Sequence, residues 1–352
     1  MIEAWTLAIA AVTAVACALS GSFLVLKREA LVSEGLAHAV LPGIVVAFVI
    51  TRDRTSPLLI VGAAAMGLLM VLLVQLVRRT RVVDDTASLG VVFPALFSIG
   101  ILLASAELAN THFHADCIID GNLALAPLDR LVLGGVDVGP KAFWAVTSVL
   151  LLVVGFLALL FKEMTLMSFD DELASSLGLR PVLLHVAWLA LVSLTTVAAF
   201  EAAGSILVVA LMIAPAAAAS LWTDDVRRLL ALACAIGLAS AGAGYAIAFG
   251  LDLAPNGPMA TSAGALFLVS FVVAPGGLLA RRRRVACARL AMESDLLLAR
   301  LAGATARGRD EVAAELGWSE RRFVSALERA AVGGAVRLDG DRLIASRSSR
   351  NE

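Results

Sequence analysis

Glu34 and His38 are the residues of this chain whose types and spacing best suit chemistry. They lie four positions apart in the stretch GSFLVLKREALVSEGLAHAVLPG, residues 21–43, just inside an apolar block. On a helix, positions i and i+4 share one face. Ionisable groups within a membrane-spanning helix are costly and rarely face lipid, so they usually mark an ion path. A carboxylate with a neutral imidazole suits borderline divalent ions such as Mn2+, Zn2+ and Fe2+. Two ligands per chain hold an ion weakly, and a conduction site must release what it binds. The same pair equally suits a carboxylate–imidazole hydrogen bond that joins helices, and spacing alone does not separate the two readings. Pro42 follows and is expected to kink or break the helix.

The elements that must position this pair are membrane helices. The chain has 352 residues, 60% hydrophobic and 16% charged, with a mean hydropathy of +0.91. Soluble domains run nearer half apolar and a quarter charged. Nine apolar blocks, roughly 4–26, 31–50, 57–77, 87–106, 142–161, 181–200, 203–222, 228–250 and 259–280, have about the length needed to cross a bilayer. In hydrocarbon each backbone N–H must be satisfied within its own segment, so the blocks should be helices. The expected fold is therefore an all-α polytopic membrane protein of about nine transmembrane helices, with eight to ten in range. The first block lacks a basic region before it and a small-residue cleavage site after it, so it reads as a retained helix rather than a signal peptide. The cysteines, Cys17, Cys117, Cys234 and Cys287, are far apart and show no metal-ligand spacing.

If the connections alternate sides, 13 basic residues before Val285 fall on one side and 4 on the other. The richer side should be cytoplasmic. The N-terminus then lies outside and the C-terminus inside. Two connections are long: 107–141 on the outside, and 162–180, KEMTLMSFDDELASSLGLR, on the inside. The second spaces Leu166, Phe169, Leu173 and Leu177 as a short amphipathic helix would, capped at Asp170 or Asp171. After Arg284 the composition changes. Residues 285–352 hold 11 Arg and 10 Asp plus Glu and no block long enough to span. The expected domains are a transmembrane part, 1–284, and a small cytoplasmic α+β part, 285–352. In the latter, helices near 293–303, 310–317 and 319–332 and a hairpin turning at Asp339-Gly340 follow a winged helix-turn-helix pattern. That part is nearly neutral, which argues for regulation or protein docking over nucleic-acid binding.

The stretch around Glu34 and His38 resembles the signature of the zinc/manganese/iron-chelate family of ABC-transporter permeases. The likeness rests on Arg28, Glu34, His38-Ala39 and Leu41-Pro42-Gly43. Residues 168–178, SFDDELASSLG, resemble the family's segment that contacts the ATPase. Residues 203–219 and 255–275 resemble its Pro-Ala-Ala block and its final Pro-x-Gly-Pro helix. The resemblance covers about 10–280 and implies a dimer of such subunits, with the same or a homologous chain. It also implies two ATPase subunits and an external metal-binding protein that delivers the ion. By that likeness Glu34 and His38 fall at the pore-lining positions. Phe169, Asp170, Asp171, Glu172 and Gly178 fall in the ATPase-coupling segment. The departure is Glu34, where the family more often has Asp; the extra methylene shifts the carboxylate by about 1.5 Å. The outer loop is closer to the manganese/iron-type members. In it His112, His114 and Asp116 read either as a metal antechamber or as an ordinary surface loop. Glu201, ending an outward-facing helix, is a candidate contact for the gate or the delivery protein.

No G-x-x-x-x-G-K-[ST] phosphate loop occurs: the three lysines precede Arg28, Ala142 and Glu163. Any ATP hydrolysis belongs to a separate subunit. No permanently bound cofactor is expected; the metal is cargo. The leading expectation is an importer permease for Mn2+, with Zn2+ or Fe2+ as further cargoes, in the plasma membrane or the inner of two membranes. The alternatives are a permease for a metal chelate or cofactor, and an ion-coupled secondary carrier. The carrier would show repeats and paired broken helices. Candidate breaks occur at Pro42 and Pro215.

Overall fold

Long apolar runs that cannot leave a backbone N–H unpaired in hydrocarbon dominate the chain, and they fold as helices. The computed structural model describes residues 2–52, 56, 58–80, 82–108, 123–133, 136–301, 307–332, 336–339 and 342–345. The chain divides into two compact units, Met1–Val272 and Val273–Glu352.

The first unit holds α1 (Ile2–Leu26), α2 (Leu31–Ala39), α3 (Leu41–Thr51), α4 (Leu58–Arg79) and α5 (Asp85–Leu108). A short 3-10 turn, Ala126–Leu128, leads into an antiparallel hairpin of β1 (Arg130–Leu133) and β2 (Val136–Pro140). Then come α6 (Lys141–Phe169), α7 (Asp171–Ser176), α8 (Pro181–Ala203), α9 (Ser205–Ser220), α10 (Val226–Leu251) and α11 (Asn256–Val273). Among the described residues eight stretches are long and apolar enough to cross a membrane; α2 and α3 together form one of them. Every expected block is a helix, but α9 is the short one, at 16 residues.

α1 is the hub. It packs against α6, α8, α9 and α10. Thirteen of its residues are buried, mostly Ala, Ser, Thr and Gly. Small residues let helix backbones approach where lipid offers no hydrophobic drive to associate. The Ser20 hydroxyl donates to Thr195 Oγ1 at 3.2 Å, joining α1 to α8 inside the core. Gly21 lies directly against the Met212 backbone of α9.

Three local outcomes differ from a reading of hydropathy. α6 does not end where Lys162 and Glu163 begin but continues to Phe169, with non-helical geometry only at Leu160. No glycine or proline interrupts that stretch, and charges alone do not stop a helix. Pro215 lies within a continuous α9; the break falls instead at Gly204, whose φ of +77° suits glycine. The long connection contains the β1–β2 hairpin, where Gly139, at φ +111°, packs on the Trp5 ring.

The second unit begins with α12 (Leu278–Leu301), followed by α13 (Arg309–Leu316) and α14 (Glu320–Val332). The strands β3 (Arg307–Gly308), β4 (Val336–Asp339) and β5 (Arg342–Ala345) form an antiparallel sheet in the order β3-β5-β4. Leu297, Leu301, Val312, Phe323, Leu327, Val336 and Leu343 make its own apolar core. α12 starts well before the expected 293, because after Gly277 nothing breaks the helix, including the run Arg281–Arg284. Within this unit the buried Glu293 carboxylate accepts from Arg289 at 3.0 Å and Arg322 at 2.6 Å.

Candidate functional site

The break between α2 and α3 organises the site. Pro42 has no N–H to give the His38 carbonyl one turn back, so the α-helical ladder lapses there. The Val40 N–H takes over that carbonyl and ends α2, and α3 restarts with Pro42 in its first turn. Glu34 and His38 both lie in the nine-residue α2. At about 1.5 Å per residue, Glu34 sits about 5 Å and His38 about 10 Å in from Leu31.

α2 buries Val32, Ser33, Gly35, Leu36, Ala37 and Ala39 against α5, α8, α4 and α9. Glu34 is exposed and His38 is half-buried on the remaining face. The His38 imidazole is walled by α5, with the Phe97 ring edge-on at 5.2 Å and Phe93 stacked at 6.3 Å between centroids. Gly100, one turn farther, lies against Pro42. Phe93, Phe97 and Gly100 thus share the α5 face that backs the break. Among the described residues no hydrogen bond or ion pair engages Glu34 or His38. No group of three His, Cys, Asp or Glu side chains is placed to hold a metal, again among the described residues. One chain therefore offers two ligand groups on an open helix face.

α7 is the second feature. The Asp170 Oδ1 accepts from the Glu172 N–H at 3.0 Å and the Leu173 N–H at 2.9 Å, capping the helix N-terminus. Gly178, at φ +84°, reverses the chain after it. Ala174 is buried, whereas Phe169, Leu173 and Leu177 are 67%, 47% and 65% exposed. Those three do not share the one helix that their spacing predicts: Phe169 ends α6, Asp170 is extended, Leu173 lies in α7 and Leu177 caps its C-terminus. Asp171 and Glu172 open α7, and the Asp171 carboxylate lies 3.1 Å from Lys27 Nζ.

A third cluster was not foreseen. Glu29, in the turn between α1 and α2, lies 2.6 Å from Arg78 Nη1 at the end of α4 and 3.1 Å from His185 Nε2 in α8. All three side chains are nearly buried. Burial pushes the Glu29 carboxyl up, but its contacts with His185 and Arg78 outweigh this and hold it down at about 2. In the sequence Arg78 reads only as a topological charge, and His185 sits alone in an apolar block. Nothing in their spacing links them to Glu29. An open cleft of about 690 Å³ lies beside this cluster and is lined also by Lys27, Phe169, Asp171 and Glu172.

Glu201, near the end of α8, is exposed and within electrostatic reach of Asp129 and Lys141. Those two pair with each other at 2.9 Å beside the β1–β2 hairpin. His112, His114 and Asp116 lie outside the described residues. The structure thus brings Glu34 and His38 together, and brings Phe169 through Gly178 together. Glu201 stands apart from both groups, near the hairpin charges.

The chain is similar to known membrane transport proteins. The sequence profile described as the ABC 3 transport family matches residues 1–274. The manganese transport system membrane protein MntD of Bacillus subtilis is 40% identical over 283 residues, 80% of this chain and 96% of its own. The zinc transport system membrane protein TroD of Treponema pallidum is 36% identical over 345 residues, 96% of this chain and 94% of its own. That second match therefore extends into the unit Val273–Glu352. Among solved structures, PsaBC from Streptococcus pneumoniae superposes with a TM-score of 0.63 at 24% identity, covering 77% of this chain and 91% of that one. It shows a shared fold.

Proposed function

The chain belongs to the ABC 3 transport family of membrane permeases, and from that premise we propose that it forms the ion pathway of an importer for divalent metal ions. The observation that carries the proposal is the open face of α2. Glu34 and His38 share that face, and neither is engaged by a hydrogen bond or ion pair among the described residues. An ionised side chain in a spanning helix does not normally face lipid. The face therefore meets a partner or a water-filled path. A second copy of the chain, or a homologous one, would bring a second carboxylate and imidazole to the same axis. Four such ligands around an aqueous path suit Mn2+, Zn2+ or Fe2+. The names of the relatives favour Mn2+ first, with Zn2+ next.

Two ligands per protomer, without a closed cage, fit transit better than storage. The Phe93 and Phe97 rings limit the imidazole's rotation and keep water from that side. His112, His114 and Asp116 are proposed as an antechamber, and Glu201 as a contact for the gate or the delivery protein.

ATP is hydrolysed on partner subunits. The segment Phe169–Gly178, with α7 at its centre and Phe169, Leu173 and Leu177 exposed along it, is the proposed grip: exposed apolar side chains around a short helix fit a groove. Asp170 and Gly178 fix the two ends of that helix, and Asp171 and Glu172 supply its charge. The bias of basic residues puts α7 and the C-terminus in the cytoplasm and the N-terminus outside, in the plasma membrane. Residues 285–352 are proposed as a cytoplasmic winged-helix-like element with a regulatory or docking role.

The test is uptake of radioactive Mn2+, with unlabelled Zn2+ and Fe2+ as competitors, by cells carrying the parent or the His38→Ala variant. Saturable, ATP-dependent uptake that disappears in the variant is expected, with normal membrane insertion. Uptake at the parental rate in His38→Ala would refute the pore assignment.

A further inference from the structure

We infer that the turn between α1 and α2 is a rigid clamp that makes α7 and the helix bearing Glu34 and His38 move as one body. The inference rests on the import reading above and deepens it, by naming how the ATPase side reaches the ion site.

The turn is four residues, Lys27 to Ala30, and it is anchored at two places. Lys27 Nζ lies 3.1 Å from Asp171 in the first turn of α7, a pair whose lysine is 13% and whose carboxylate is 60% exposed, so it is the weaker of the two anchors. Two residues on, Glu29 accepts from Arg78 at 2.6 Å, and its second oxygen lies 3.1 Å from His185 Nε2. The side chains of Glu29, Arg78 and His185 are only 12%, 13% and 9% exposed. Releasing Glu29 from its partners would leave a buried charge uncompensated, which is strongly unfavourable. Between the anchors, Arg28 takes a left-handed backbone, φ +61°, which a non-glycine residue adopts only when its surroundings impose it. The Glu29 N–H also donates to the Leu24 carbonyl at 2.7 Å, closing the turn on α1.

The anchors reach α7 by two routes, while Arg78 ties the same turn to the end of α4. One is direct, through Asp171. The other runs through α8, which packs on α7 and carries His185 in its first turns. On the far side of the turn there is no slack: α2 begins at Leu31, and Glu34 lies in its first turn. The cleft of about 690 Å³ beside the clamp is lined by Lys27 and Glu29 of the turn and by Asp171 and Glu172 of α7. A displacement of α7 is thereby passed to Glu34 and His38 through the four-residue turn rather than through the length of a spanning helix. Glu29 and Lys27 are positioning residues in this scheme and touch no metal.

The experiment uses the complete transporter, reconstituted with its ATPase, in a background where Cys17, Cys117, Cys234 and Cys287 are replaced by Ala. Lys27→Cys and Asp171→Cys are introduced together and joined with a short bifunctional methanethiosulfonate. The double-cysteine variant lacks the Lys27–Asp171 ion pair and is the reference for itself. The expected result is efficient cross-linking with Mn2+ transport and ATP hydrolysis at or above its own uncross-linked rate, because the link replaces the lost pair and the two positions never separate. Arrest of transport on cross-linking, restored by reduction, would show that α7 slides against the turn and would overturn the clamp. Failure to cross-link would show that the two residues are not neighbours and would overturn it equally. A second arm measures Mn2+ ions moved per ATP hydrolysed in Glu29→Gln, a ratio that does not depend on how much protein is folded. A several-fold fall, with Mn2+ binding to the purified permease retained, is expected; an unchanged ratio would overturn the clamp. Failure of the import reading itself would appear earlier, as absence of Mn2+ transport in the cysteine-free parent.

Discussion

Gly43 of α3 and Gly62 of α4 meet backbone to backbone: a Cβ on Gly43 would lie 2.1 Å from the Gly62 carbonyl oxygen. Gly43 directly follows Pro42, so this contact fixes where α3 restarts after the break. The contact has no room to give, because the obstructing atom belongs to the backbone of α4. Gly43→Ala should therefore push α3 off α4 and destabilise the protein by about 1–3 kcal/mol, the usual cost of overpacking. A lowered melting temperature in detergent, with reduced Mn2+ uptake, is the expected readout. A variant that melts with the parent would show that the two helices can separate freely.

Glu34 can be divided into charge and reach. Glu34→Gln keeps the shape and removes the charge, and should lower Mn2+ uptake by roughly 10–100-fold, at least the loss that follows disturbance of a ligand's support. Glu34→Asp keeps the charge and should retain uptake while altering the order in which Zn2+ and Fe2+ compete. Equal uptake by the Gln variant and the parent would remove the carboxylate from the pathway.

Asp170 offers a test of the proposed ATPase contact. Its carboxylate satisfies two backbone N–H groups of α7, Glu172 and Leu173. Asp170→Ala should cost α7 about 1 kcal/mol. Hydrogen exchange of residues 171–176 should accelerate and ATP hydrolysis should become less tightly tied to uptake, while metal binding is kept. Asp170→Asn or Asp170→Ser, which can still cap, should behave as the parent.

Glu29 sets an acid limit. Its carboxyl is held at about 2, below the ordinary value of 4.5. A depressed folded-state value means that this group's stabilisation is fully present above 4.5 and is lost as pH falls through 2. The difference amounts to on the order of 3 kcal/mol. Between pH 4.5 and 2.5 the parent's melting temperature should therefore fall more steeply than that of Glu29→Gln, whose stability lacks this term. Parallel curves would mean that Glu29 is not ionised against Arg78 and His185.

The parts of this fold that were legible in the sequence are those governed by local chemistry. Pro42 predicts a break because a missing N–H acts one turn back, and the break falls at Val40. Glu34 and His38 are legible as a pair because four residues is one helical turn. Asp170 is legible as a cap because it precedes a short periodic segment. The end of α6 was not legible: charges at 162 and 163 look like a membrane boundary, but helix geometry ends only where the backbone is interrupted. Pro215 looks like a breaker, yet the neighbouring helices absorb it. The cluster of Glu29, Arg78 and His185 was invisible for another reason. Its members come from three elements, and each alone has a sufficient ordinary explanation as a loop acid, a boundary base or a lone core histidine. Only packing joins them. Phe93 and Phe97 were hidden similarly, since an aromatic pair at i and i+4 in an apolar block reads as core.

The exposed Glu34 also bears on how the protein is made. A newly inserted single copy would hold this carboxylate on an uncovered helix face, at an expense of up to about 2.5–3.5 kcal/mol were it at the bilayer centre. On the proposed pairing, the partner would cover that face and lower the expense, leaving unpaired copies the less stable form in the membrane. The residue proposed to pass the ion would then also report completed assembly. Solitary copies would be marked for quality-control proteolysis by the same side chain that serves transport once the partner arrives.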